Sequence, residues 1–263
     1  VDYLMELSRL QSHAERISEV LDVSDTAELA RDVGAPQGKA DSDLTIELKD
    51  VWFRYGADAP WLLKGVNLKI ECGDSIAITG RSGSGKSTLL GVLLGQLEPS
   101  RGEVVVGGRD IKRLAPSAYA SRVGVVLQDD VLFHGTVAEN IAFFDVPIDF
   151  SRVERCAMQA NIAREIAAMP MGYYSMLAEG ASDISGGQKL RLFIARALYR
   201  QPDILFLDEA TSHLDLESER LVGDAVRGLS ITRVLIAHRR ETIASASRVF
   251  ELRDGQTVEV PTS

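Results

Sequence analysis

The stretch that most constrains this chain is residues 75–90, Ser75-Ile-Ala-Ile-Thr79 running into Gly80-Arg-Ser-Gly-Ser-Gly-Lys-Ser-Thr-Leu-Leu90. A short apolar run leads into a loop with glycines at 80, 83 and 85, and Lys86 and Ser87 then open a segment of helix formers. Strand, G-x-x-x-x-G-K-[ST] and helix, in that order, make a phosphate-binding loop. Glycines let the backbone curl until several N–H groups converge on one anion. The new helix adds unpaired N–H groups and its positive dipole end. Lys86 supplies a cation for the outer phosphates, and the Ser87 hydroxyl is placed to ligate Mg²⁺.

Other stretches supply matching chemistry. Ile204-Leu-Phe-Leu-Asp208-Glu209 reads as a buried strand delivering two carboxylates at its C-terminal end, the edge where open α/β sheets bind ligands. Asp208 suits the outer shell of Mg²⁺, and Glu209 suits a base that polarises an attacking water. Val234-Leu-Ile-Ala-His238 repeats the arrangement with an imidazole, which at a strand end is either structural or catalytic. Val123-Gly-Val-Val-Leu-Gln128 is an apolar strand ending in an amide. Parallel strands at 75–79, 123–127, 204–207 and 233–237, separated by helical segments over 86–97, 151–169 and 189–199, predict a doubly wound α/β core.

Residues 44–55 and 66–70 alternate apolar and polar positions, as half-exposed antiparallel strands do. Residues 102–106 continue in that style, with Gly107-Gly108 as the turn. Tyr55 closes the first of these runs; it either packs an edge or offers a face to a nucleotide base. Ser185-Gly-Gly-Gln188 precedes a helical run, and is either a second anion site or a plain N-cap. Residues 249–252, Asp254-Gly255 and 257–260 predict a closing hairpin.

Over residues 1–33, Tyr3, Leu7, Leu10, Ala14, Ile17 and Leu21 form a heptad-like stripe on an amphipathic helix. Residues 34–42 read as a linker. The chain begins at Val1 rather than Met and reads as a piece of a longer one. Its 263 residues are 45% hydrophobic and 25% charged, which fits an ordinary globular protein. A formal charge of −9 and a pI near 5.1 argue against a nucleic-acid backbone as partner. Cys72 and Cys156 match no metal spacing or redox motif, and are expected as reduced, half-buried thiols. No apolar run approaches the ~20 residues needed to span a bilayer.

Together these residues resemble the nucleotide-binding domain of ATP-binding cassette (ABC) transporters, over about residues 44–260. Residues 80–87 match the Walker A loop, and Ile204–Asp208 with Glu209 match Walker B and its catalytic glutamate. Ile184-Ser-Gly-Gly-Gln188 is similar to the family signature, with Ile where Leu is usual. Gln128 falls where the family has its Q-loop glutamine, His238 where it has the switch histidine, and Tyr55 where an adenine-stacking aromatic sits. Ser212-His-Leu-Asp215 matches the D-loop, with His213 where Ala is commoner.

The resemblance implies a P-loop NTPase (RecA-like) fold with a parallel core sheet, an antiparallel β subdomain and a helical signature subdomain at roughly 129–200. The ATPase domain would span 41–263, and 1–40 would lead in from a membrane domain of the same polypeptide. The implied activity is ATP hydrolysis coupled to export. Glu209, His238 and Gln128 are the implied catalytic residues. Tyr55, Gly80, Ser82, Gly83, Gly85, Lys86, Ser87, Thr88, Ser185, Gly186, Gly187, Gln188 and Asp215 would bind ATP, and Ser87, Gln128 and Asp208 would hold Mg²⁺.

In this family two copies face each other head to tail. Each ATP lies between the Walker loops of one copy and the signature of the other, so a second copy of the chain is the implied partner. Residues 128–141 resemble the exporter branch, where this stretch lies under the membrane helices. Residues 169–173, 212–215 and 238–243 most resemble bacterial exporters of bacteriocins and related peptides. That implies the cytoplasmic face of a bacterial inner membrane. The competing reading is a soluble ABC ATPase without a membrane partner. Such proteins carry paired cassettes or a long coiled-coil insertion, and this chain has one cassette and neither.

Overall fold

The computed structural model describes residues 44–178, 184–208, 215–237 and 239–261. The expected helix over 1–33 and its linker lie outside the described residues. β1 (Ile46–Phe53) and β2 (Leu63–Ile70) pair antiparallel, with Ile46 opposite Ile70. β3 (Ser75–Thr79) follows, and β4 (Arg101–Val106) then returns beside β1, with Val106 opposite Ile46. β5 (Arg109–Asp110) completes a four-stranded sheet of order β2-β1-β4-β5. The apolar positions of β1 point to one face, and its alternation breaks at Lys49-Asp50, where the register shifts.

β6 (Val123–Val126), the short pair β7 (Gly135–Thr136) and β8 (Met176–Leu177), β9 (Ile204–Asp208), β10 (Thr232–Ile236), β11 (Arg248–Arg253) and β12 (Gln256–Val260) follow. The main sheet has the order β12-β11-β3-β10-β9-β6. β11, β3, β10, β9 and β6 run parallel, and β12 closes the edge as an antiparallel hairpin partner of β11. The hairpin is as expected; that β11 also lies parallel to β3, with Val249 opposite Ala77, is an addition.

The central strands are apolar on consecutive residues because both of their faces are covered. Ile204 and Phe206 enter one core with Ile76, Ile78, Val234, Ile236 and Leu89, Leu90 and Leu93 of the Lys86–Leu93 helix. Leu205, Leu207 and Leu235 enter another, with Val137, Ile141, Val153, Ile166, Leu190 and Ile194. The Lys86–Leu93 helix and the four-stranded sheet therefore cover one face. The helices Val137–Ala142, Phe150–Gln159, Ala163–Ala168 and Gly186–Tyr199 cover the other. Each fully buried Leu, Ile or Phe of these cores contributes about 1.5–3 kcal/mol.

Several boundaries differ from the sequence expectation. The helix expected over 86–97 ends at Leu93, because Gly95 turns left-handed at φ 71° and the amides of Gln96 and Leu97 fold back onto the Gly91 carbonyl. The helix expected over 151–169 is two, Phe150–Gln159 and Ala163–Ala168, parted at Asn161 with φ 55°. Asn tolerates that left-handed conformation better than most residues. β6 stops at Val126, because the Leu127 amide donates to Asp130 Oδ2 at 3.1 Å instead of to a strand. Neither thiol is half-buried: Cys72 is exposed and Cys156 buried. Burial pushes the Cys156 thiol up to about 11.

Candidate functional site

Parallel pairing puts the C-terminal ends of four central strands on one edge of the main sheet. Ile78 of β3 lies opposite Ile236 of β10, Ile236 opposite Asp208 of β9, and Leu207 opposite Val126 of β6. The loop that begins at Gly80, the carboxylate of Asp208 and the exposed Gln128 leave the sheet along this edge. Sequence expectation put all three there. Glu209 and His238 lie outside the described residues.

The loop after β3 is shaped by its glycines. Gly83 and Gly85 are left-handed, at φ 75° and 101°. A β-carbon on Gly80 would fall 2.6 Å from the Leu252 carbonyl and 2.8 Å from Ser84 Oγ, so β11 braces the loop from behind. Lys86 lies across the loop, 5% exposed, with Nζ donating to the Gly80 and Arg81 carbonyls at 3.2 and 3.1 Å. Its ammonium thus sits inside the curl, while Ser82 and Ser87 are exposed at the surface.

The start of the Lys86–Leu93 helix carries no side-chain cap and no acid in its first turn. Four helix starts are capped by Thr136, Asp149, Ser185 and Asp215, while the short helices Pro116–Ala120, Ala163–Ala168 and Arg240–Ala244 also lack a side-chain cap. Each such cap stabilises its helix by roughly 0.5–2 kcal/mol. The helix after the loop forgoes one, which leaves N–H donors for an external acceptor. A phosphate group fits this cradle. Mg²⁺ binds one or two carboxylates plus substrate phosphates, and Asp208 with the Ser87 hydroxyl and the Gln128 amide suits that pattern. Among the described residues no cluster of three or more His, Cys, Asp or Glu side chains forms an all-protein cage.

Tyr55 stands beside the loop. Its hydroxyl lies 3.3 Å from Thr88 Oγ1, its ring meets Phe53 edge-on at 5.1 Å, and 68% of the residue is exposed. A ring held at one edge and at its hydroxyl leaves a face for a planar ligand.

The Ser185 stretch has its own geometry. Ser185 Oγ accepts from the Gln188 amide at 3.2 Å, and Gln188 Oε1 accepts from the Ser185 amide at 3.0 Å, a capping box. Ser185 and Gly186 are exposed, whereas Gly187 is buried. Asp215 caps the Leu216–Arg227 helix, with its carboxylate accepting from the Ser218 amide at 2.9 Å and hydroxyl at 2.8 Å. The Ser218 amide, then its hydroxyl, hold the Asp215 carboxyl below the usual range.

Sequence reasoning missed Arg191, which is 3% exposed, donates to the Gly187 carbonyl at 3.2 Å and pairs with Glu165 at 2.7 Å. An arginine in an otherwise apolar run was the available signal. Ser218 and Glu219 were missed too, and for them no local pattern exists.

This geometry finds its counterpart among known proteins. The ABC transporter family matches residues 63–212. The chain belongs to that family, and its fold is the family's P-loop ATPase domain, with a parallel core, antiparallel strands and helical parts. A probable microcin-H47 secretion/processing ATP-binding protein of Escherichia coli is 41% identical over 255 residues, covering 95% of this chain and 35% of that protein. The colicin V secretion/processing ATP-binding protein of the same organism is 39% identical, with the same coverage. A bacterial Atm1-family ABC exporter with ATP bound superposes with a TM-score of 0.75 at 34% identity, covering 82% of this chain and 38% of that one. The chain therefore spans about a third of the length of the relatives it matches. Among the described residues no helix is long and apolar enough to cross a membrane.

Proposed function

We propose that this chain is the ATP-binding and ATP-hydrolysing domain of a membrane exporter, and that it works as a head-to-tail pair of copies around two ATP molecules. One observation carries the pairing. The helix starts at Lys86 and Gly186 belong to helices on opposite faces of the main sheet. That placement keeps the two helix starts apart within one copy, and in this reading one copy's Ser185 and Gly187 complete the cradle of the other, as the family's head-to-tail pairing implies.

In this reading the amides of residues 80–87, Ser82 Oγ and the Lys86 ammonium hold the phosphates, with Thr88 at the helix start behind them. Ser87, Gln128 and Asp208 hold Mg²⁺, which when bound neutralises charge on the phosphate oxygens. Tyr55 offers its ring to adenine. Glu209 orients and polarises the attacking water, and His238 donates to the terminal phosphate. Ser185, Gly186, Gly187, Gln188 and Asp215 close the site from the opposing copy.

The partner is a membrane domain of the same polypeptide, at the cytoplasmic face of a bacterial inner membrane. An exposed aromatic group supports this: Phe133 meets Phe143 and Phe144 edge-on at 6.0 Å each, and all three are exposed. Contiguous apolar surface of this kind marks an interaction face. The cargo is a peptide of the bacteriocin class, on the strength of the relatives named for microcin H47 and colicin V secretion.

Glu209→Gln keeps the shape of the side chain and removes the carboxylate, so it should stall the cycle in the closed pair. Light scattering of this variant with Mg-ATP should report a dimer, and the unmutated ATPase rate should rise more than linearly with protein. A variant that stays monomeric, together with a rate strictly proportional to protein, would sink the two-copy mechanism.

A further inference from the structure

Glu219 lies one helical turn beyond Asp215 on the Leu216–Arg227 helix, and only 4% of it is exposed. Its carboxylate is bound from a single neighbouring segment. Arg239 Nη1 donates to Oε2 at 2.7 Å, and Thr242 Oγ1 lies 3.3 Å from Oε1. Arg239 directly follows His238 in the chain and is the N-cap of the Arg240–Ala244 helix, to which Thr242 belongs. That helix has five residues and no side-chain cap of its own. A helix so short has little stability of its own and takes its place from tertiary contacts. Beside it lies an apolar cavity lined by Leu207, Val226, Leu235 and Thr242, so close packing supplies only part of its seat.

The Glu219 side chain is 4% exposed and that of Arg239 31%, so the carboxylate carries most of the desolvation cost, which offsets much of the pair's attraction. Such a pair gains little stability over an apolar contact, but it fixes orientation well. We propose that Glu219 is a positioning residue: through Arg239 and Thr242 it sets the place of the segment that carries His238, and so governs the chemical step without touching nucleotide. This rests on the reading of His238 as a residue that acts on the terminal phosphate.

The test compares Glu219→Gln, Arg239→Gln, the double variant and His238→Ala in this chain. Turnover, affinity for a fluorescent ATP analogue and thermal melting are measured for each. Glu219→Gln and Arg239→Gln should each lower kcat by about tenfold or more with analogue Kd within about twofold, the pattern of an interaction made only in the transition state. Because Glu219 acts through Arg239, the double variant should lose no more than the worse single one. Losses that multiply in the double variant, or an equal loss in Kd, would overturn the proposal. If Glu219→Gln does not fold, Glu219→Asp keeps the charge and shortens the reach; it should lower kcat at unchanged Kd, and unchanged kcat overturns the idea. An active Glu219→Gln beside an inactive His238→Ala refutes this proposal alone. An active His238→Ala removes the reading of His238 and the proposal with it.

Discussion

Gly187 lies so close to Ser218 that a β-carbon on it would fall 2.5 Å from Ser218 Cβ and 2.6 Å from Ser218 Oγ. The Gly186–Tyr199 helix thus meets the first turn of the Leu216–Arg227 helix at a point with no room for a side chain. Ser218 is itself fixed by both carboxylate oxygens of Asp215. Gly187→Ala should destabilise the fold by about 1–3 kcal/mol, the usual cost of overpacking. Alanine's better helix propensity offsets at most about 1 kcal/mol of that. Adding Ser218→Gly, which removes both clashing atoms, should recover part of the melting temperature. A Gly187→Ala protein that melts like the parent would show that the contact relaxes freely.

Lys86→Ala removes the ammonium that donates to the Gly80 and Arg81 carbonyls. Two effects follow. The loop loses its internal tie, which lowers the melting temperature by about 2–4 °C for each kcal/mol lost. ATP affinity should fall far more, since the cation that compensates the phosphates is gone. Nucleotide titration beside thermal melting separates the two, and near-parental affinity in a folded variant would remove Lys86 from this role.

For Tyr55 the ring and the hydroxyl make separable predictions. Tyr55→Phe loses the contact with Thr88 Oγ1 but keeps the ring and its edge-on contact with Phe53. Its ATP affinity should stay within about threefold of the parent, as one long, part-buried neutral hydrogen bond contributes roughly 0.5 kcal/mol. Tyr55→Ala loses the stacking face, roughly 1–3 kcal/mol per base, or about 5- to 150-fold in affinity. The melting temperature should barely move for either, because the residue is largely exposed. Equal affinities in the alanine and phenylalanine variants would mean that no base stacks there.

Acid should loosen the capping box formed by Thr136 and Glu139, and spare the one that Gln188 closes at Ser185. Glu139 Oε2 accepts from the Thr136 amide at 2.6 Å and hydroxyl at 2.9 Å. The amide first, and then the hydroxyl, hold its carboxyl below its ordinary value of 4.5. A carboxyl with a depressed folded-state pKa stabilises the fold above its unfolded value, and that contribution is lost as pH falls through the folded value. The loss therefore begins below about pH 4.5 and continues under it. Glutamine at position 139 can still accept but cannot titrate. Melting curves at pH 7 and in acid should show a larger acid drop for the parent than for Glu139→Gln, and equal drops would contradict the coupling.

Much of this protein is local and therefore legible. The run of residues 75–90 specified strand, glycine loop and helix because each step has its own pattern: continuous apolar residues, left-handed glycines, then helix formers. The parallel strands ending at Asp208 and Val126 were legible for the same reason, since a strand covered on both faces must be apolar throughout. Tyr55, Gln128 and Ser185 are visible as a strand-closing aromatic, a strand-end amide and a helix start, and only the family motifs, which also supply Asp215, single them out as site residues.

The tertiary structure decided what joins these pieces. It put β10 between β3 and β9, brought β11 in as a parallel neighbour that braces Gly80 with the Leu252 carbonyl, and broke the helix expected over 151–169 at Asn161. It also brought Ser218 against Gly187 and Arg239 onto Glu219. The physical reason is one of range. Propensity, capping and alternation act over a few residues and leave a periodic trace in the chain. A close approach between two helices, or a carboxylate buried against an arginine 20 residues away, is settled by packing among residues that share no local pattern.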